Sequence, residues 1–176
     1  MEWRWKTGAF QKQAQHFAVP AWTGDDADGG AVLLHDEQGL GDTIQFSRFV
    51  ARAAQRARVV LQVQRPLLRL LAGLPGPEMI VARGDKLPPI TRHLPLMSLP
   101  HVLGGAIPAA AGYLQAPADR IAHWQGRAAS LPGLRVGLVW AGNPRLGGPS
   151  YDRADLRRSV RLEQFRPLVM PGISLV

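Results

Sequence analysis

Three short apolar runs, Ala31–His35 (AVLLH), Arg58–Val63 (RVVLQV) and Met79–Ala82 (MIVA), are each bounded by turn-forming residues, and helical patterns fill the intervals between them. Runs this short and this continuously apolar suit strands buried on both faces. In the first interval Phe46, Phe49, Val50, Ala53 and Ala57 recur at helical spacing, while Gln45, Arg48, Arg52 and Arg56 occupy the other faces. That spacing predicts a helix from Asp42 to about Ala57, with Asp42 as its cap. Pro66, well suited to a first helical turn, opens a second predicted helix that ends near Leu74. A β-α-β-α-β order implies a parallel sheet with right-handed crossovers and helices on both faces, a Rossmann-like α/β architecture.

The flanking segments divide the chain. Residues 1–22 read as an amphipathic or irregular lead-in, and 23–30 (TGDDADGG) as a turn. The Pro-rich stretch 87–100 (LPPITRHLPLMSLP) reads as a long connection, and 116–131 as a helix with Ile121 and Trp124 on one side. Pro132-Gly133 then breaks the chain. A strand at 134–140, a polar Gly-rich loop at 141–159, a helix at 162–170 and a strand from Ile173 make the start of a second α/β unit. The expected layout is a lead-in over 1–30, a Rossmann-like domain over 31–132, and an incomplete second domain over 133–176.

Composition excludes several classes of function. The chain has no cysteine, which removes disulfides, thiolate metal sites and cysteine nucleophiles. No window approaches the roughly eighteen consecutive apolar residues of a membrane helix, and the first residues have no signal-peptide pattern, so a cytoplasmic protein is expected. The net charge of +8 invites comparison with nucleic-acid binders. Lys6, Lys12 and Lys86 are the only lysines, however, and arginine abounds together with Ala, Gly, Pro and Leu, as a GC-rich genome would encode. The charge therefore argues little for nucleic acid. Arg145, Arg153, Arg157, Arg158, Arg161 and Arg166 crowd the C-terminal stretch, a surplus that would suit a small phosphorylated ligand.

The segment His35-Asp36-Glu37-Gln38-Gly39-Leu40-Gly41-Asp42 follows the first predicted strand. In an open parallel sheet, ligands bind beyond the carboxyl ends of the strands, where helix N-termini offer unpaired N–H groups. Gly39 and Gly41 would let the backbone turn tightly and approach a ligand, and His35, Asp36, Glu37 and Asp42 are acid–base candidates, His35 being equally readable as a satisfied histidine at a strand end. Spacing alone favours a plain turn and a helix cap, since both are common and Gly-x-Gly is a weak signal. A phosphate-binding Walker loop fails, because Asp42 stands where Lys-Ser or Lys-Thr is required. A dinucleotide fingerprint fits by half: Ile44 replaces the third glycine and no carboxylate ends the second strand. Arg65 could favour a 2′-phosphate, which keeps NADP-type binding open as a minor alternative.

The wording of HDEQGLGDTIQFSRFV, followed by RVVLQVQRPLLRLLAGLPG, ARGDKLPPITRHLPLMSLP and RVGLVWAGNP with DLRRS, resembles bacterial tetratricopeptide-repeat proteins that end in a heptosyltransferase-like glycosyltransferase domain, similar to glycosyltransferase family nine. The lead-in, EWRW with PAW, also resembles the segment that joins such repeats to the transferase. The resemblance implies a GT-B arrangement, with the acceptor held mainly by the first Rossmann-like domain and the nucleotide-sugar donor mainly by the second. It implies inverting, metal-independent transfer with no cofactor, Asp42 as general base, and His35, Glu37, Gln38, Gly39 and Gly41 on the acceptor side. Gly142, Asn143, Arg158 and Ser159 match the phosphate-side loop by position. Expected partners are a nucleotide-sugar and a glycan, lipid or protein acceptor, together with the rest of the donor domain or a partner chain that supplies it. With only the start of the donor half in 133–176, the isolated chain is expected to be inactive; a non-catalytic interaction module or remnant is the alternative. Asp26-Ala27-Asp28 echoes a metal-binding Asp-x-Asp but precedes the first strand, where a solvated turn is expected. His16, His101 and His123 have no ligand spacing, His93 lies in ITRHLPLMSLP, where the resembled family usually has an aspartate at the position of Thr91, and Trp3, Trp5, Trp22, Trp124 and Trp140 are read as packing residues.

Overall fold

A computed structural model describes residues 2–8, 14–105, 107–108, 112–141 and 159–176. The chain divides into two compact units, Met1–Ala116 and Pro117–Val176. The division falls at Ala116, so the helix before Pro132 is grouped with the strand that follows it.

In the first unit, strands β1 (Ala31–His35), β2 (Arg58–Val63) and β3 (Met79–Ala82) have the predicted bounds. A fourth strand, β4 (Arg92–Pro95), lies inside the segment expected to be a plain connection. The order is β3-β2-β1-β4 and every pair is parallel, which gives the Rossmann-like α/β fold. RHLP does not read as a strand because two of its four residues are polar and it ends in proline. That proline is tolerated at the last residue of an edge strand, where a missing N–H disrupts little of the ladder. The lead-in supports the outer side of β4: Trp22 N–H donates to the His93 carbonyl at 2.8 Å, and His93 N–H donates to the Pro20 carbonyl at 3.1 Å.

The predicted helix after β1 is displaced and broken. Helix α1 (Leu40–Ser47) starts two residues before Asp42, and after a turn at Arg48 and Phe49 helix α2 (Val50–Ala53) continues the path. The helix expected over 66–74 is a 3-10 turn, Arg65–Leu67, leading into α3 (Leu68–Leu71). The chain then turns at Gly76 with φ +114°, where a Cβ would lie 2.9 Å from Ala51 Cα, so only glycine fits. Helix α4 (Leu99–Leu103) follows β4.

The pleat sorts the strand residues onto two faces. Val32, Leu34, Val59, Leu61, Val63 and Leu94 pack with Phe46, Phe49, Val50, Leu71 and Leu99 into the main core, beneath the helices. The opposite face carries a smaller cluster of Ala31, Leu33, Val60 and Val81, against which Phe17, Leu87 and Ile90 pack. Segments without regular structure thus supply its cover.

The second unit contains α5 (Ala118–Ala129) and a parallel pair, β5 (Leu134–Val136) with β6 (Ile173–Leu175), connected in part through a 3-10 helix at Leu162–Leu168. The strand expected over 134–140 keeps regular pairing only to Val136, although Leu138 N–H still reaches the Val176 carbonyl at 2.8 Å. Among the described residues, no helix is long and apolar enough to cross a membrane.

Candidate functional site

The strand order places the loop after β1. From β1 the chain steps outward to β2 and β3, then returns past β1 to add β4, so the order reverses between β1 and β4. At such a reversal the loops leaving the carboxyl ends of the two strands diverge and open a crevice, the usual ligand position in doubly wound sheets. Here those loops are residues 36–39, ahead of α1, and the 3-10 turn Leu96–Ser98, ahead of α4.

At the far end of the β1 loop, Gly39 is the N-cap of α1 and Asp42 stands three residues into it. The Gly39 N–H donates to Asp42 Oδ2 at 3.0 Å. Asp42 therefore serves the helix from its first turn instead of as the cap, because Gly39 already adopts the extended N-cap conformation and the helix begins one residue later. A carboxylate in a first turn also complements the helix dipole. Gly39 has φ −75°, which any residue adopts, and Gly41 is not among the positive-φ glycines, so neither is needed to turn the chain tightly. The position of Gly41 is open, since a Cβ there would meet nothing within 4 Å.

Gln64, just past β2, clamps the loop at both ends. Its amide donates to the Gln38 carbonyl at 2.9 Å and its oxygen accepts the Thr43 hydroxyl at 2.9 Å. Gln38 itself points to the β4 side, donating to Met97 Sδ at 3.0 Å. The two remaining acids are held by arginines. Asp36 is fully buried and pairs with Arg83 at 2.7 Å, while its backbone carbonyl accepts Gln15 at 2.7 Å and Arg83 at 2.9 Å. Glu37 receives a two-pronged bond from Arg4, Nη2 to Oε1 at 2.8 Å and Nε to Oε2 at 3.0 Å. Burial pushes both carboxyls up from their ordinary values, against the opposing pull of Arg83 on Asp36 and of Arg4 on Glu37.

His35 keeps one contact with the loop, Nδ1 at 3.4 Å from the Asp36 carbonyl. Its ring lies on the smaller-cluster face, 4.8 Å from the Phe17 ring, with Nε2 at 3.1 Å from His93 Nδ1. Burial, with the neighbouring His93 second, lowers its pKa to about 3. A histidine so placed is held toward its neutral form and is already hydrogen-bonded.

The structure therefore brings Gly39, Gly41 and Asp42 together at the open end of α1, and it engages His35, Glu37 and Gln38 internally. Ser159 lies in the second unit, whereas Gly142, Asn143 and Arg158 lie outside the described residues. Arg65, the candidate for a 2′-phosphate, pairs with Asp85. Among the described residues, no three His, Asp or Glu side chains converge as metal ligands would. Arg4, Gln64 and Arg83 shape the site without having been singled out by the sequence. Only the position of Gln64 and Arg83 at strand ends could have flagged them, and Arg4 carries no local signal. No protein-family model matches the chain, nor does any curated protein or solved structure.

Proposed function

We propose that the first unit is the acceptor side of a GT-B-type glycosyltransferase, with Asp42 the general base that takes the proton of an acceptor hydroxyl as it attacks a nucleotide-sugar. One observation carries this reading: Asp42 and Gly41, where a Cβ would meet nothing within 4 Å, stand in the first turn of the helix that follows β1 at the β1–β4 reversal, the position at which parallel sheets bind ligands. Inversion at the anomeric carbon requires one carboxylate near the attacking oxygen, and the Asp42 carboxylate accepts the Gly39 N–H at 3.0 Å with no arginine paired to it among the described residues. Asp36 and Glu37 suit the role less well, since their arginine partners already occupy them. The leaving diphosphate would fall to the second unit, toward Gly142, Asn143, Arg158 and Ser159, without a metal.

The test is release of nucleoside diphosphate from a panel of nucleotide-sugars by the full natural chain, with Asp42→Asn beside it. Loss of a general base is expected to lower turnover by about 10²–10⁴-fold with the circular dichroism spectrum unchanged. Undiminished turnover in Asp42→Asn would refute the assignment.

A second reading, a non-catalytic interaction module, draws on a different observation. The second unit exposes Val139 at 92%, Val169 at 71% and Leu134 at 64%, a density of apolar surface that suits a covering partner. Isothermal titration with nucleoside diphosphates separates the two, because the transferase reading requires binding by the full chain and the module reading does not.

A further inference from the structure

One guanidinium links the two loops that border the switch point. Arg4 belongs to a 3-10 turn at Glu2–Lys6, 33 residues upstream of Glu37. Both partners are almost fully buried, with side-chain exposures of 7% and 6%. Arg4 Nη2 also donates to Ser98 Oγ at 2.8 Å and Nη1 to Glu2 Oε1 at 3.0 Å, while Glu37 Oε1 accepts the Met97 N–H at 3.2 Å. Glu37 lies in the loop after β1, and Met97 and Ser98 form the turn after β4. A fork–fork pair fixes direction as well as distance, and a lysine would keep the charge while losing that geometry.

We propose that Arg4 is a positioning residue of the candidate site: it holds Glu37 against the β4 turn, so that the following Gln38–Asp42 segment enters α1 in its observed geometry. The proposal rests on reading that segment as the reactive edge. It also assigns Glu37 to holding the loop instead of touching substrate. Its reach is short in sequence, because Gln38 follows Glu37 directly and Gly39 N–H is the donor to Asp42.

The test compares Arg4→Met, Arg4→Lys, Glu37→Gln and the Arg4→Met/Glu37→Gln pair in the full chain, by amide hydrogen exchange and ¹H–¹⁵N spectra. In Arg4→Met, exchange at the Gly39 and Met97 amides is expected to accelerate about tenfold or more, with β2 amides unchanged, since a local opening leaves global stability in place. The Gly39 amide proton, which reports the bond to Asp42, is expected to shift, Arg4→Lys to recover part of both effects, and Glu37→Gln to add little once Arg4 is gone. Wild-type exchange and shift at Gly39 and Met97 in Arg4→Met, or fully additive effects, would overturn the proposal. Should Arg4→Met not fold, Arg4→Lys decides: intermediate exchange supports the role of the fork, and wild-type exchange removes it. None of these readouts requires a nucleotide-sugar, so they stand apart from the outcome of Asp42→Asn on transfer.

Discussion

Strands β1 (AVLLH) and β5 (LRV) both stand in parallel pairs, yet every residue of β1 is buried and none of β5 is. The contrast extends to the whole of each unit: all the buried residues among those described belong to Met1–Ala116. Local composition does not make this difference. β1 has a hydrogen-bonded neighbour on either side, β2 and β4, with helices packed on one face and loop residues on the other. Among the described residues, β5 has β6 alone in its sheet. A two-stranded parallel pair has too few neighbours to bury either face, and parallel sheets depend on covered faces. Interior is thus a property of the layers a strand joins, and the first unit has the layers.

Removing a leucine side chain from each of the two units is expected to give the largest difference between them. Leu34→Ala, in the main core, is expected to cost about 2–5 kcal/mol, because the cavity it leaves cannot collapse fully. Leu134→Ala, at a residue 64% exposed, is expected to cost about 0.5 kcal/mol or less. Hydrogen exchange at β2 amides reads the first and at β6 amides the second. Equal costs would mean that β5 is as well buried in solution as β1.

The same contrast explains what the sequence could and could not announce. β1, β2 and β3 were legible to the residue because their apolar runs end at turns, and a buried strand needs little else. β4 was not, since RHLP becomes a strand only through pairing with β1 on one side and with the lead-in at Ala21 on the other. Helix α1 begins before Asp42 for a local reason that could have been seen, a glycine able to act as N-cap. The roles in HDEQGLGD divided along the same line. Spacing placed Asp42 and Gly41 at the start of the helix but gave them the wrong local parts, cap and tight turn, while the partners of Glu37 and His35, Arg4 and His93, lie far away in sequence. No periodicity within eight residues can announce an arginine 33 positions away.

A smaller effect is read through pH, because burial holds a histidine neutral well below its ordinary pKa. Burial and the adjacent His93 lower His35 from 6.5 to about 3 in the folded chain. In the unfolded chain it titrates near 6.5, so between those values the unfolded state binds a proton that the folded state refuses. The contribution of His35 is therefore fully present above about pH 6.5 and is lost as pH falls toward 3, at up to about 1.4 kcal/mol per pH unit. Asp36 and Glu37, whose folded carboxyls are raised by burial, act in the opposite sense, since the folded state takes up their protons first as pH falls. His93, lowered by burial, and Arg83 also face this group. In His35→Gln, the dependence of urea-unfolding stability on pH between 6 and about 4 is expected to flatten by close to one proton. An unchanged slope would mean that the ring is solvated and that the smaller-cluster face is open.

The smallest expected change bears most directly on the second unit. Val139 is 92% exposed, and Val139→Ser removes apolar surface that already faces water. Stability is expected to stay within about 0.5 kcal/mol of the wild type, as for surface substitutions that touch no buried group. A cost above about 1 kcal/mol in a urea titration would require that Val139 be covered in solution, since an exposed methyl pair has little transfer free energy to lose. Repeating the titration over a range of protein concentrations then tells which cover it is. A cost that grows with concentration points to a second copy, as mass action demands, and a constant cost points to the chain itself. Either outcome would move the second unit toward the first, and the contrast between β1 and β5 would become one of which molecule supplies the missing layer.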